Sequence, residues 1–98
     1  MTDLEITKLC AEAVGVSVHE YQDGSLYHFG GLCEGGIEDY DPLQDDAQAM
    51  ALGKKFPEIF SRAVQEWVWR LDHGETGFDL NYHFCDRVAK MQSAKEPA

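Results

Sequence analysis

Between Lys8 and Lys54 the chain carries no lysine or arginine, yet that interval holds Glu12, Glu20, Asp23, Glu34, Glu38, Asp39, Asp41, Asp45 and Asp46. So many carboxylates without counter-charge can do one thing unaided, which is to attract a cation. The formal net charge of the 98-residue chain is −10. That balance repels nucleic acid and anionic membrane, and it favours a basic partner or simple solubility. The acids are densest around Tyr40, so Glu34, Glu38, Asp39, Tyr40, Asp41 and Asp46 are the expected contact residues for such a partner. A solvated acidic surface with no partner is the plainer explanation of the same residues.

Other chemistries find less support. His83 and Cys85 with Cys33 or His28 could ligate zinc, but no C-x-x-C or H-x-x-x-H pair occurs, and structural zinc sites show such close spacing. Asp39 and Asp41 have the first spacing of a calcium loop without its central glycine or closing glutamate. The glycine-rich stretch from Gly30 to Gly36 lacks the Lys-Ser/Thr of a phosphate loop and is negatively charged, so it is expected to be a connector. Cys10 and Cys85 fall on apolar helical stripes, which argues for packing rather than nucleophilic catalysis. The expectation is therefore a binding protein, with no enzyme activity, no cofactor and no metal.

The elements that would hold these residues can be read in order. Thr2 and Glu5 fit a capping box, Ile6, Leu9, Cys10 and Ala13 recur on one face, and Gly15 suits the C-terminal cap, which predicts a helix over 3–14. Residues 16–21 alternate apolar and polar, Asp23-Gly24 is a tight-turn dipeptide, and 25–29 form the return strand of a hairpin. This would make His19 and His28 candidate cross-strand neighbours. Asp41-Pro42 sets a turn, and Gln44 or Asp45 caps a second helix reaching about Phe56, with Ala49, Leu52, Gly53 and Phe56 as its inner stripe. Asp45 and Asp46 there suit the positive helix end, whereas Glu38, Asp39 and Asp41 have no such local reason to be acidic. Gly53 inside that stripe predicts close approach of another backbone. Beyond Pro57 the periodicity predicts helix over 58–65, while Trp67-Val68-Trp69-Arg70-Leu71 has strand composition and predicts strand over 66–72. Trp67 and Trp69 would then face opposite ways, one toward the core and the other, assigned to Trp69, outward as a contact anchor. Asp79 or Asn81 caps a last helix lined by Leu80, Phe84, Val88 and Met91, with a frayed tail over 93–98.

These elements make one α+β domain over 1–98, a small antiparallel sheet (the N-terminal hairpin plus one or two later strands) packed with three or four helices. Three cysteines without a close pair suggest reduced thiols, and no apolar run could span a bilayer or serve as a signal peptide, so a cytoplasmic location is expected.

The segment Tyr40-Asp41-Pro42-Leu43-Gln44-Asp45-Asp46-Ala47-Gln48-Ala49-Met50 resembles one found in small tailed-phage and prophage accessory proteins, the NinX-like proteins and the phage α-β-α sandwich domain group. The order of elements around it is similar, down to the closing helix from Asp79 to Met91, although Pro57-Glu58-Ile59-Phe60 departs from the strand expected there. The resemblance implies a phage or prophage origin, in an infected or lysogenic bacterial host, and supplies no catalytic residues. Joined to the charge pattern, it leads to an expected accessory protein that binds a basic host protein, inhibiting a nucleic-acid-binding or defence protein by mimicking phosphate charge. A structural phage component that self-associates, for example as a homodimer through an exposed Trp and the Gly53 face, is the alternative.

Overall fold

The computed structural model describes residues 1–29 and 37–95. The elements run α1 (Asp3–Val14), β1 (His19–Glu20), β2 (Leu26–Phe29), β3 (Ile37–Asp39), α2 (Asp46–Lys55), α3 (Pro57–Asp72) and α4 (Leu80–Lys95). The fold is α+β, with a three-stranded antiparallel sheet in the order β1-β2-β3 and four helices. The glycine connector over 30–36, and Glu34 and Cys33 within it, lie outside the described residues.

Local chemistry accounts for most boundaries. Thr2 Oγ1 accepts from the Glu5 amide at 3.2 Å, and Gly15 takes the left-handed conformation (φ 76°) that lets its amide close the last turn of α1. Gly24 at φ 89° makes the hairpin turn, where Asp23 Oδ1 accepts from the Ser25 amide and hydroxyl. Asp45 caps α2 through its carboxylate and the Gln48 amide, and Asp79 Oδ1 does the same for α4 through the Tyr82 amide. The hairpin is shorter than expected, and its register sets His19 opposite Tyr27 and His28 opposite Glu38, so the two histidines are not neighbours.

The stretch 66–72 is helical, not the expected strand. Pro57 occupies the first turn of α3, and the 3.6-residue stripe places Ala63 in the core with Phe60 packed against it, while Val64 and Trp67 on the same stripe are half-buried. Glu66 and Arg70 then pair one turn apart at 3.1 Å, and Glu66 also holds Arg87 of α4. Aromatic and β-branched composition was outweighed by tertiary contact. Trp67 and Trp69 still diverge, because positions two apart on a helix lie on nearly opposite faces. The last helix runs on to Lys95, so Ser93 to Lys95 are helical where a frayed tail was expected.

The core is built on α1 against α4, where Ile6, Cys10, Phe84, Cys85, Val88 and Ala89 are fully buried. Cys10 Sγ donates to the Cys85 carbonyl at 3.3 Å, and a hydrogen bond with Cys10 and burial both push the Cys85 thiol well above its ordinary value. Leu43 and Leu52 join this core, while Ala11, Leu26 and Tyr40 form a second cluster beneath the sheet.

Gly53 meets a ring, not a backbone. A Cβ there would lie 3.1 Å from Phe60 Cδ2, and Phe60 itself packs edge-on to Phe84 with centroids 5.1 Å apart. Replacing Gly53 by Val should therefore displace Phe60 and destabilise the fold by about 1–3 kcal/mol. Urea denaturation of the two proteins checks this, and equal midpoints would show that Phe60 yields without cost.

Candidate functional site

Strand alternation sorts the residues around β2 and β3 onto two sides. Leu26 and Tyr40 are buried against Ala11, and His28 and Glu38 share their side of the sheet. Tyr27 and Asp39 lie on the outer side, where the Tyr27 ring sits 4.4 Å from Tyr21 and 5.4 Å from His19.

At the end of β3 the chain passes Asp41 into a turn, and Asp41 O accepts from the amides of Gln44 and Asp45. This turn, the N-terminus of α1 and the hairpin turn enclose a cleft of about 390 Å³. Asp3, Asp23, Asp39 and Asp41 all line it, and no lysine or arginine does. None of the four forms an ion pair among the described residues, whereas four of the chain's cations are engaged elsewhere, Lys8 with Glu20, Lys90 with Asp86, Arg87 with Glu66, and Arg70 with both Glu66 and Glu75. A shallower depression beside it, lined by Tyr21, Gln22, Asp23, Ser25 and Asp39, extends the acidic surface past an exposed tyrosine.

The protonation equilibria register this setting. The Asp41 carboxyl is pushed above its ordinary value of 3.8, chiefly by burial and further by the charges of Asp3 and Asp45, against the pull of the Leu43 and Gln44 amides. Asp23 is held below its ordinary value, first by the Ser25 hydroxyl and then by the Ser25 amide. The Tyr21 phenol is raised from 10.0 by loss of solvent, then by the charge of Asp39 and a hydrogen bond to it. Among the described residues no three His, Cys, Asp or Glu side chains are grouped to hold a metal ion. The carboxylates are spread along a cleft, which suits an extended cation better than a point charge.

The expected contact residues do not all meet. Asp39 and Asp41 line the cleft, joined by Asp3 and Asp23, which the sequence reading did not single out. Tyr40 is only 6% exposed and cannot serve as a surface contact, because alternation turns it onto the core side, where burial raises its phenol. Glu38 is turned the same way, and its carboxylate faces His28 Nε2 at 3.3 Å and Gln48 Nε2 at 3.3 Å. Asp46 lies apart from the cleft, at the start of α2, where it accepts from Asn81 Nδ2 at 2.7 Å. Trp69 is 56% exposed on α3 and stacks on His73 with ring centroids 4.0 Å apart. Asp41 also has a local reason to be acidic, since its carboxylate accepts from the turn that follows.

Comparison of the chain with protein-family models, curated proteins and solved structures finds no match. No described helix is long and apolar enough to cross a membrane.

A raised Asp41 favours the folded state while it is protonated. That contribution is complete below the ordinary value of 3.8 and is lost as pH rises through the higher folded value. Asp41→Asn keeps an acceptor for the turn and cannot ionise. The variant should match the parent near pH 3 and unfold at a higher temperature near pH 7. Thermal melts across that range provide the check, and a variant that is less stable at neutral pH would contradict the sign.

Proposed function

We propose that this chain is a phage or prophage accessory protein that acts by binding a basic segment of a host protein, not by catalysis. The observation that carries the reading is the cleft in which Asp3, Asp23, Asp39 and Asp41 converge without a cation of the protein's own. Like charges gathered at one place cost energy that a cationic partner recovers, and the charge of Asp3 adds, after burial, to the raising of Asp41. Arginine suits the surface especially, because its guanidinium can pair with Asp39 and lie against the adjoining Tyr21 ring. A host groove that normally grips phosphate presents such side chains, and carboxylates on this protein would stand in for the phosphates. The resemblance of the segment from Tyr40 to Met50 to phage proteins supports the setting.

Binding of an octa-arginine peptide, followed by calorimetry at two salt concentrations, tests the reading. Saturable binding that weakens with salt is expected, with Asp39→Lys reducing affinity by about tenfold and Asp46→Asn, outside the cleft, leaving it unchanged. Equal losses in both variants would reduce the effect to overall charge and remove the cleft from the reading.

A second reading rests on α3, where Val68, Trp69 and Leu71 are 45%, 56% and 44% exposed. Val68 lies between the other two around the helix, and exposed apolar side chains of this kind can be buried against a second copy of the chain. Light scattering should then report a dimer that persists in high salt and dissociates on Trp69→Arg. A parent protein that is monomeric at every concentration would discard self-association.

A further inference from the structure

Behind the sheet, between β2, β3 and α2, lies another pocket, of about 510 Å³. Its walls are apolar, with Val16, Ala51 and Leu52 among them, and its polar groups include His28, Glu38 and Lys55. That volume and that mixture of apolar wall and few polar groups are typical of small-molecule sites. It requires no residue of the acidic cleft except Tyr40, which backs both.

Glu38 and Lys55 bring one formal charge of each sign to this pocket, and they differ in what already surrounds them. One Glu38 oxygen faces His28 Nε2 at 3.3 Å and the other accepts from Gln48 Nε2 at 3.3 Å, so this carboxylate already has its partners. Lys55 forms no ion pair among the described residues, in a chain with 18 acidic side chains. Both Lys54 and Lys55 complement the negative end of α2, but of the two only Lys55 lines the pocket. Of the two charged groups at these apolar walls, Lys55 is thus the one without a partner among the described residues.

We propose that the pocket binds a small monocarboxylate with an apolar body, of the medium-chain fatty acid or arylalkanoate class. The carboxylate would meet Lys55, and the hydrocarbon would lie against Val16, Ala51 and Leu52. A single cation beside Glu38 is a poor match for a phosphate dianion. An alkylamine would bring a second positive charge to Lys55.

Titration of octanoate into isotopically labelled protein, followed by NMR, tests this directly, with octanol and octylamine as comparison ligands. Saturable shifts are expected at Val14, Val16, His28 and Ala51, with octanol weaker and octylamine weaker still. Lys55→Met should weaken octanoate by about threefold to fivefold, the scale of an exposed ion pair. Ala51→Trp should abolish the shifts while thermal unfolding confirms that the variant folds. Shifts that are absent or lie elsewhere would overturn the proposal. So would octanol binding as tightly as octanoate with Lys55→Met without effect, since the pocket would then recognise hydrocarbon alone. None of these results depends on the acidic cleft.

Discussion

The side-chain amide of Gln48 joins the two halves of this structure. Its oxygen accepts from the Asp41 amide at 2.6 Å, and its nitrogen donates to the Asp39 carbonyl at 2.6 Å and to Glu38 at 3.3 Å. A three-stranded sheet this short has little stability of its own. Its last strand would end in unpaired backbone groups if α2 did not supply a partner for them. Glutamine is suited to the task because it presents donor and acceptor from one rigid plane, which neither glutamate nor lysine can. The consequence reaches both concavities. Fixing the end of β3 sets Asp39 and Asp41 against the N-terminus of α1, and it sets Glu38 beside His28 on the other side of the sheet.

The helical half provides the rigid support for that junction. Ile6 and Cys10 of α1 interlock with Phe84, Cys85, Val88 and Ala89 of α4, and Pro42 and Leu43 of the turn are buried as well. The stretch from Tyr40 to Leu43 is therefore held from within by its apolar members while its one acid, Asp41, lines the cleft. Alternating roles of this kind explain why a turn carries so much of the surface chemistry. Burial of Tyr40, Pro42 and Leu43 fixes the backbone, and the fixed backbone holds Asp41 where solvent is scarce.

How much of this was legible depended on distance along the chain. The bounds of α1, its Thr2 and Gly15 caps, the Asp23-Gly24 turn and the inner stripe of α2 follow from short-range pattern and were read correctly, and of the α4 stripe Leu80, Phe84 and Val88 pack in the core where Met91 does not. The stretch 66–72 was misread because Trp-Val-Trp composition is compatible with either element, and the deciding contacts come from other helices and from Arg87, 21 residues beyond Glu66. Gly53 was read as a close approach of another backbone; the approach is real but its neighbour is the Phe60 ring, which nothing local indicates.

The acidic cleft shows the same division more sharply. Asp3 is accounted for by the positive end of α1 and Asp23 by its turn, so neither needed a functional explanation when read alone. Asp39 and Asp41 attracted attention because they lacked one, yet Asp41 proves to cap its own turn. Three of the four carboxylates can thus be justified locally, and local justification says nothing about what happens when four of them share a wall. Capping selects the residue type one position at a time, whereas the field in the cleft is a sum over positions that only the fold brings together. An acidic side chain with a structural duty can still contribute to a binding surface, provided its charge is not neutralised by that duty. Amide donors leave a carboxylate's net charge in place, and an ion pair does not. The lack of ion pairs at Asp3, Asp23, Asp39 and Asp41, more than their number, is what distinguishes this cleft from the acidic residues around Glu66.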